Sequence, residues 1–89
     1  MGAVAETIRR KLAERFAPRR LEVIDESAAH AGHAGARPGG ETHFRVEIVA
    51  DAFAGLGRLE RQRAVNAALA AELAGPVHAL SIRAAAPDE

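Results

Sequence analysis

Gly75-Pro76-Val77-His78-Ala79-Leu80-Ser81-Ile82 decides the fold of this chain. Gly is favoured just past a helix end, and Pro cannot continue a helix, so the pair predicts a stop. From Val77 onward, small or polar and bulky residues alternate, which predicts a short β-strand. Strict alternation puts Val77, Ala79 and Ser81 on one face, and His78, Leu80 and Ile82 on the other. His78 then stands at the mouth of the strand, on the face of its two bulkiest apolar residues. An imidazole there serves either as a hydrogen-bonded core group or as a metal ligand held by a rigid edge.

Before this stretch, residues 58–74 (RLERQRAVNAALAAELA) read as a helix, with Leu59, Val65, Leu69 and Leu73 on one side and many alanines raising helix propensity. Asp51 to Gly57 is a turn-rich connector. His43-Phe44-Arg45-Val46-Glu47-Ile48-Val49-Ala50 alternates cleanly, so Phe44, Val46, Ile48 and Ala50 predict the buried face of a second strand. Leu21 to Ser27 reads as the first strand. Between these two strands, residues 28–40 (AAHAGHAGARPGG) predict a long loop that carries His30 and His33. Val4, Ile8, Leu12 and Phe16 recur every four residues and predict an amphipathic first helix, stopped by Pro18.

The order is therefore α-β-β-α-β. Strands one and two pair antiparallel, and strands two and three are parallel through a right-handed crossover. The prediction is a single α+β domain over residues 1–89: a three-stranded mixed sheet with helices on one face, a core of about residues 4–83, and a frayed tail at 84–89.

Composition narrows the function. Twelve Lys and Arg balance twelve Asp and Glu, so no overall positive charge exists to neutralise phosphates. Residues 1–20 are nonetheless basic, with six cationic against two acidic side chains. Cysteine is absent, which removes thiol catalysis, disulfides and any all-thiolate metal site, and fits a reducing cytoplasm. No apolar run is long enough to span a bilayer. No hydroxyl sits in a recognisable nucleophile context. Asp25 and Glu26 are adjacent on a strand and face apart, so they cannot divide acid and base roles. The chain reads as non-enzymatic.

The segments LEVIDES, GETHFRVEIVA, FAGLGRLERQRAVNAALAAEL and GPVHALSI resemble the BolA family in order and spacing, over residues 4–83. The resemblance implies a fold similar to a class II KH domain, without the phosphate-gripping GxxG loop between helices. Gly32-His33-Ala34-Gly35 fits GxxG in letters alone, because it falls between two strands. The resemblance further implies a monothiol glutaredoxin as partner and a shared 2Fe–2S cluster, with thiolates from the glutaredoxin and its glutathione, and histidine from this chain. His78 matches the family's C-terminal histidine. His30 matches the loop position where the family carries His or Cys, and His33 is an additional loop candidate. Gln62 departs from the family's usual helical His.

Imidazole suits iron, and histidine ligation raises the potential of a 2Fe–2S centre. Ligation requires neutral imidazole, so assembly weakens as pH falls through histidine titration. His43, opposite in direction to Phe44, reads as a structural or surface residue. A second functional reading is DNA binding through the KH-like fold, with Arg58, Arg61 and Arg63 as contacts. The shortage of aromatic residues disfavours base stacking in that reading. The free chain is expected to be a monomer or a weak homodimer.

Overall fold

A computed structural model describes residues 2–26 and 42–89. The order is α1 (Ala3–Phe16), β1 (Arg20–Asp25), β2 (His43–Val49), a 3-10 turn (Asp51–Phe53), α2 (Arg58–Ala68), α3 (Ala70–Ala74) and β3 (Ala79–Ala85). The strands form one three-stranded sheet in the order β1-β2-β3. β1 and β2 pair antiparallel, with Val23 opposite Val46. β2 and β3 pair parallel, with Val46 opposite Ile82. This is the expected α+β architecture.

Alternation along β2 builds the core. Phe44, Val46 and Ile48 are buried, and Ile8 and Leu12 of α1 and Val65 and Leu69 of the second helical segment pack on the same side. The 3-10 turn adds Phe53, whose ring lies 5.0 Å from that of Phe16. Each such side chain contributes roughly 1.5–3 kcal/mol by leaving water. The opposite sheet face is polar, with Arg45 bridging Glu26 and Glu47.

α1 ends at Ala17, which adopts a left-handed conformation (φ 45°) while its N–H donates to the Ala13 carbonyl. α2 starts at Gly57, whose N–H donates to the Glu60 carboxylate three residues on.

Three expectations are corrected. Residues 58–74 do not form one helix: Leu69 leaves helical geometry (φ −109°, ψ 20°). Leu59, in the first turn of α2, is exposed, and past the break Leu73 is exposed while Glu72 turns inward, where Lys11 of α1 meets its carboxylate at 3.0 and 2.7 Å. The tail 84–89 is not frayed. Ala84 and Ala85 continue β3, Ala86 is buried, and the Glu89 carboxylate binds Arg61 and accepts from the Ala86 N–H.

The third correction concerns His78. It does not share the core face with Leu80 and Ile82. Those two pack on the core, whereas Val77 is buried and His78 is exposed. A regular parallel ladder bonds alternate residues to the neighbouring strand. Here the consecutive N–H groups of His78 and Ala79 both donate to the Thr42 carbonyl, at 2.7 and 3.2 Å. The pleat therefore begins only at Ala79, and His78 escapes its parity.

Candidate functional site

The turn that delivers His78 is held from below. The Glu72 carbonyl accepts the N–H groups of Gly75 (3.2 Å) and Val77 (2.9 Å), which tie the end of α3 to the start of β3. Burial of Val77 anchors the adjacent residue. Together with the two bonds to Thr42, these contacts fix the His78 backbone while leaving its ring in solvent.

Beside it stands His43, the first residue of β2, opposite Ala79 in the register. The two imidazole centroids are 5.9 Å apart and the ring planes inclined by 45°. His43 is half-buried. Its Nδ1 lies 2.9 Å from the hydroxyl of buried Thr42. The sequence reading had assigned His43 a structural or surface role. Its place next to His78 follows from the parallel register of β2 and β3, which no local pattern encodes.

His30 and His33 lie outside the described residues. The points from which their segment departs and to which it returns are described. The Glu26 N–H donates to the His43 carbonyl at 2.8 Å, and the Thr42 carbonyl accepts from His78. Both anchors are therefore at the rim occupied by His43 and His78. Among the described residues, no group of three or more His, Cys, Asp or Glu is placed to hold a metal ion. Imidazole, the side chain that His78 exposes at this rim, suits iron in donor type.

At the opposite end of β3, a cleft of about 560 Å³ is lined by Leu56, Arg58, Arg61, Gln62 and Arg83 among others. Arg61 is held there by its own chain: Nε donates to the Leu56 carbonyl at 3.0 Å, and the guanidinium forks onto the Glu89 carboxylate. Hydrogen bonding from Arg61, then from the Ala86 N–H, holds the Glu89 carboxyl at about 2, well below the usual carboxylate range. Arg58 and Arg63 are exposed. Arg61, with a side chain 13% exposed, already has its charge met within the chain.

The family model described as BolA-like protein matches residues 12–89. The chain belongs to the BolA family. Human BolA-like protein 1 is 52% identical over 87 residues, a match covering 98% of this BolA-like chain and 61% of the human protein. The chain thus spans under two thirds of that relative. A Vibrio cholerae protein named DNA-binding transcriptional regulator BolA is 43% identical, with 89% of this chain and 71% of the relative covered. Among solved structures, the BolA domain of SufE1 from Arabidopsis thaliana superposes with a TM-score of 0.89 at 43% identity, covering 99% of this chain and 96% of that domain.

Proposed function

We propose that this BolA-like chain acts in the cytoplasm as a non-enzymatic partner of a monothiol glutaredoxin, and that it supplies histidine to a shared 2Fe–2S cluster in cluster trafficking or iron regulation. The observation that carries this reading is the exposure of His78 on a hydrogen-bonded sheet rim. A ligand donated across a protein interface must be fixed in position yet reachable from outside, and His78 meets both conditions. His30 is the second candidate ligand and His33 the third. Chain geometry allows His30, four residues past Glu26, to lie up to about 14 Å from that rim anchor. A bound cluster supplies one-electron chemistry, at a potential raised by imidazole relative to all-thiolate ligation. This chain's share is to present neutral imidazole and a docking rim.

The test is to add the chain to a monothiol glutaredoxin carrying its cluster and glutathione, and to follow visible absorbance and circular dichroism. The wild type changes both spectra, and His78→Ala abolishes or strongly alters the change. Identical spectra with wild type and variant refute the assignment of His78.

A second reading, DNA binding, is favoured by the name of the Vibrio cholerae relative and by the exposure of Arg58 and Arg63. Arg61 contributes to it only after release from Glu89. Binding that falls steeply with salt and disappears in Arg58→Ala/Arg63→Ala supports this reading. Absence of binding at low salt and micromolar protein removes it.

A further inference from the structure

We propose that the cleft at the far end of β3 binds a phosphate monoester carried on a small organic molecule, with Arg58, Arg61 and Arg83 as its cationic lining and Glu89 as a displaceable occupant supplied by the chain itself. The site shares no residue with the histidine rim, so it stands or falls separately from the glutaredoxin reading.

Three observations carry it. The first is charge. Arg58, Arg61 and Arg83 line one cleft. Arg61 is matched by Glu89. Arg58 and Arg83 are exposed and, among the described residues, have no ion-pair partner. Glu47, beside Arg83 in the register, is engaged by Arg45. Three guanidinium groups against one carboxylate leave two positive charges on the same space, in a chain whose net charge is zero. Gathered like charges repel, so the arrangement favours an anion that shares the cleft.

The second is the geometry of the occupant. The Arg61 guanidinium forks onto both oxygens of Glu89, with Nη2 at 2.5 Å, and the Ala86 N–H donates to the same carboxylate at 3.2 Å. Arg61 is itself braced by the carbonyls of Leu56 and Ala84, so the fork is in place before a ligand arrives. Glu89 thus shows the chemistry that the cleft holds: an oxyanion, taken by a fixed guanidinium and a backbone N–H. A carboxylate brings one charge and leaves Arg58 and Arg83 unused. A phosphate monoester brings about two charges and three strong acceptor oxygens, which engage all three arginines. The Glu89 side chain is 47% exposed, so water already reaches the contact that the ligand replaces.

The third is shape. The cleft, of about 560 Å³, falls in the range of small-molecule pockets, about 300–1,000 Å³. Half-buried Leu56 and Ile82 line it beside the arginines and give the carbon body of a ligand an apolar wall. A nucleic-acid backbone offers singly charged diesters to exposed cations instead, and has no use for a recessed fork.

The probe is phenyl phosphate, titrated into the whole chain at constant ionic strength and followed through backbone amide and arginine Nε–H NMR signals. Benzoate, the same ring with a singly charged head, and a short DNA duplex are the comparison ligands. Phenyl phosphate shifts Arg61 Nε–H and the Ala86 amide on one saturable curve, and binds at least tenfold more tightly than benzoate. Arg58→Gln and Arg83→Gln each weaken it about tenfold, the order expected for one hydrogen bond to a charged group. Glu89→Gln tightens it at least threefold, because the occupant has lost its charge, and His78→Ala stays within twofold of wild type. Arg61→Gln also strips the bonds to Leu56 and Ala84, so the two exposed arginines carry the test in case that variant misfolds. The proposal is overturned by an absence of saturable shifts, by benzoate binding as tightly, by arginine variants that bind like wild type, or by Glu89→Gln that binds no more tightly. Displacement of phenyl phosphate by the duplex at matched phosphate concentration overturns it too, and gives the cleft to nucleic acid. An unchanged glutaredoxin spectrum beside intact phosphate binding rejects the partner reading and leaves this site standing.

Discussion

Replacing Lys11 by Met is the sharpest test of how the histidine rim is supported. Lys11 Nζ donates to both oxygens of Glu72, at 3.0 and 2.7 Å, from a helix 61 positions away in sequence. The Glu72 side chain is 10% exposed and that of Lys11 33%. Met keeps the apolar stem and removes the charge, leaving a buried carboxylate without its cation. A hydrogen bond to a charged group contributes about 1.5–3 kcal/mol, and breaking a fully buried ion pair costs about 3–5 kcal/mol. Water reaches the lysine end here, so the lower range applies, and the loss is about 2 kcal/mol. For a domain of this size, 1 kcal/mol moves the melting temperature by about 4–8 °C, so Lys11→Met melts roughly 8–16 °C lower.

Urea and thermal unfolding at pH 7, followed by far-ultraviolet circular dichroism, measure this loss. A double-mutant cycle isolates its cause. If the stranded carboxylate is responsible, Glu72→Gln in the Lys11→Met background recovers at least about 1 kcal/mol relative to additivity. Faster amide exchange at Val77 and His78 is expected alongside, because the Glu72 carbonyl holds the turn that precedes them. A Lys11→Met loss below about 0.5 kcal/mol, the range of ordinary surface substitutions, would falsify the support assigned to this pair, as would strict additivity in the cycle.

Other outcomes follow from particular residues. Ala17→Gly should stabilise the fold by about 0.5–1 kcal/mol in urea unfolding, since Ala17 holds a φ of 45° at the end of α1. Gly55→Ala should cost about 1 kcal/mol, because φ is +81° while no atom lies within 4 Å of the added Cβ; equal stability of the two proteins would remove backbone conformation as the reason. The Glu89 carboxyl should titrate near pH 2 by carbon NMR. As its value is depressed in the fold, its stabilising contribution is full above the ordinary carboxylate range and is lost as pH falls through about 2. Arg61→Gln should raise that titration toward the ordinary range, with the Ala86 N–H still holding it somewhat low. His78→Ala should leave stability within about 0.5 kcal/mol, the ring being exposed. A larger loss would mean that its effect on any cluster spectrum reports unfolding rather than ligation.

Much of this molecule was legible in short windows of sequence. The four-residue recurrence of Val4, Ile8, Leu12 and Phe16, the alternation from Phe44 to Ala50 and the Gly75-Pro76 stop each report a local rule: helical pitch, pleat or a missing N–H. Those rules sufficed for the element order, the buried face of the central strand and the mixed sheet. They also singled out His78, through its place beside the stop and the family pattern around it.

Tertiary contacts decided the rest. Periodicity assigned Leu73 to the buried side of the second helix, yet the break at Leu69 turned Glu72 inward to meet Lys11. Parity put His78 on the face of Leu80 and Ile82, yet two amides sharing one carbonyl of Thr42 took it off that face and into solvent. His43 became its neighbour because β2 and β3 run parallel in a register that pairs His43 with Ala79. Local pattern encodes which way a side chain points along its own element. Which elements meet, and at what offset, is set by packing across dozens of residues, and the imidazole pair exists only at that level.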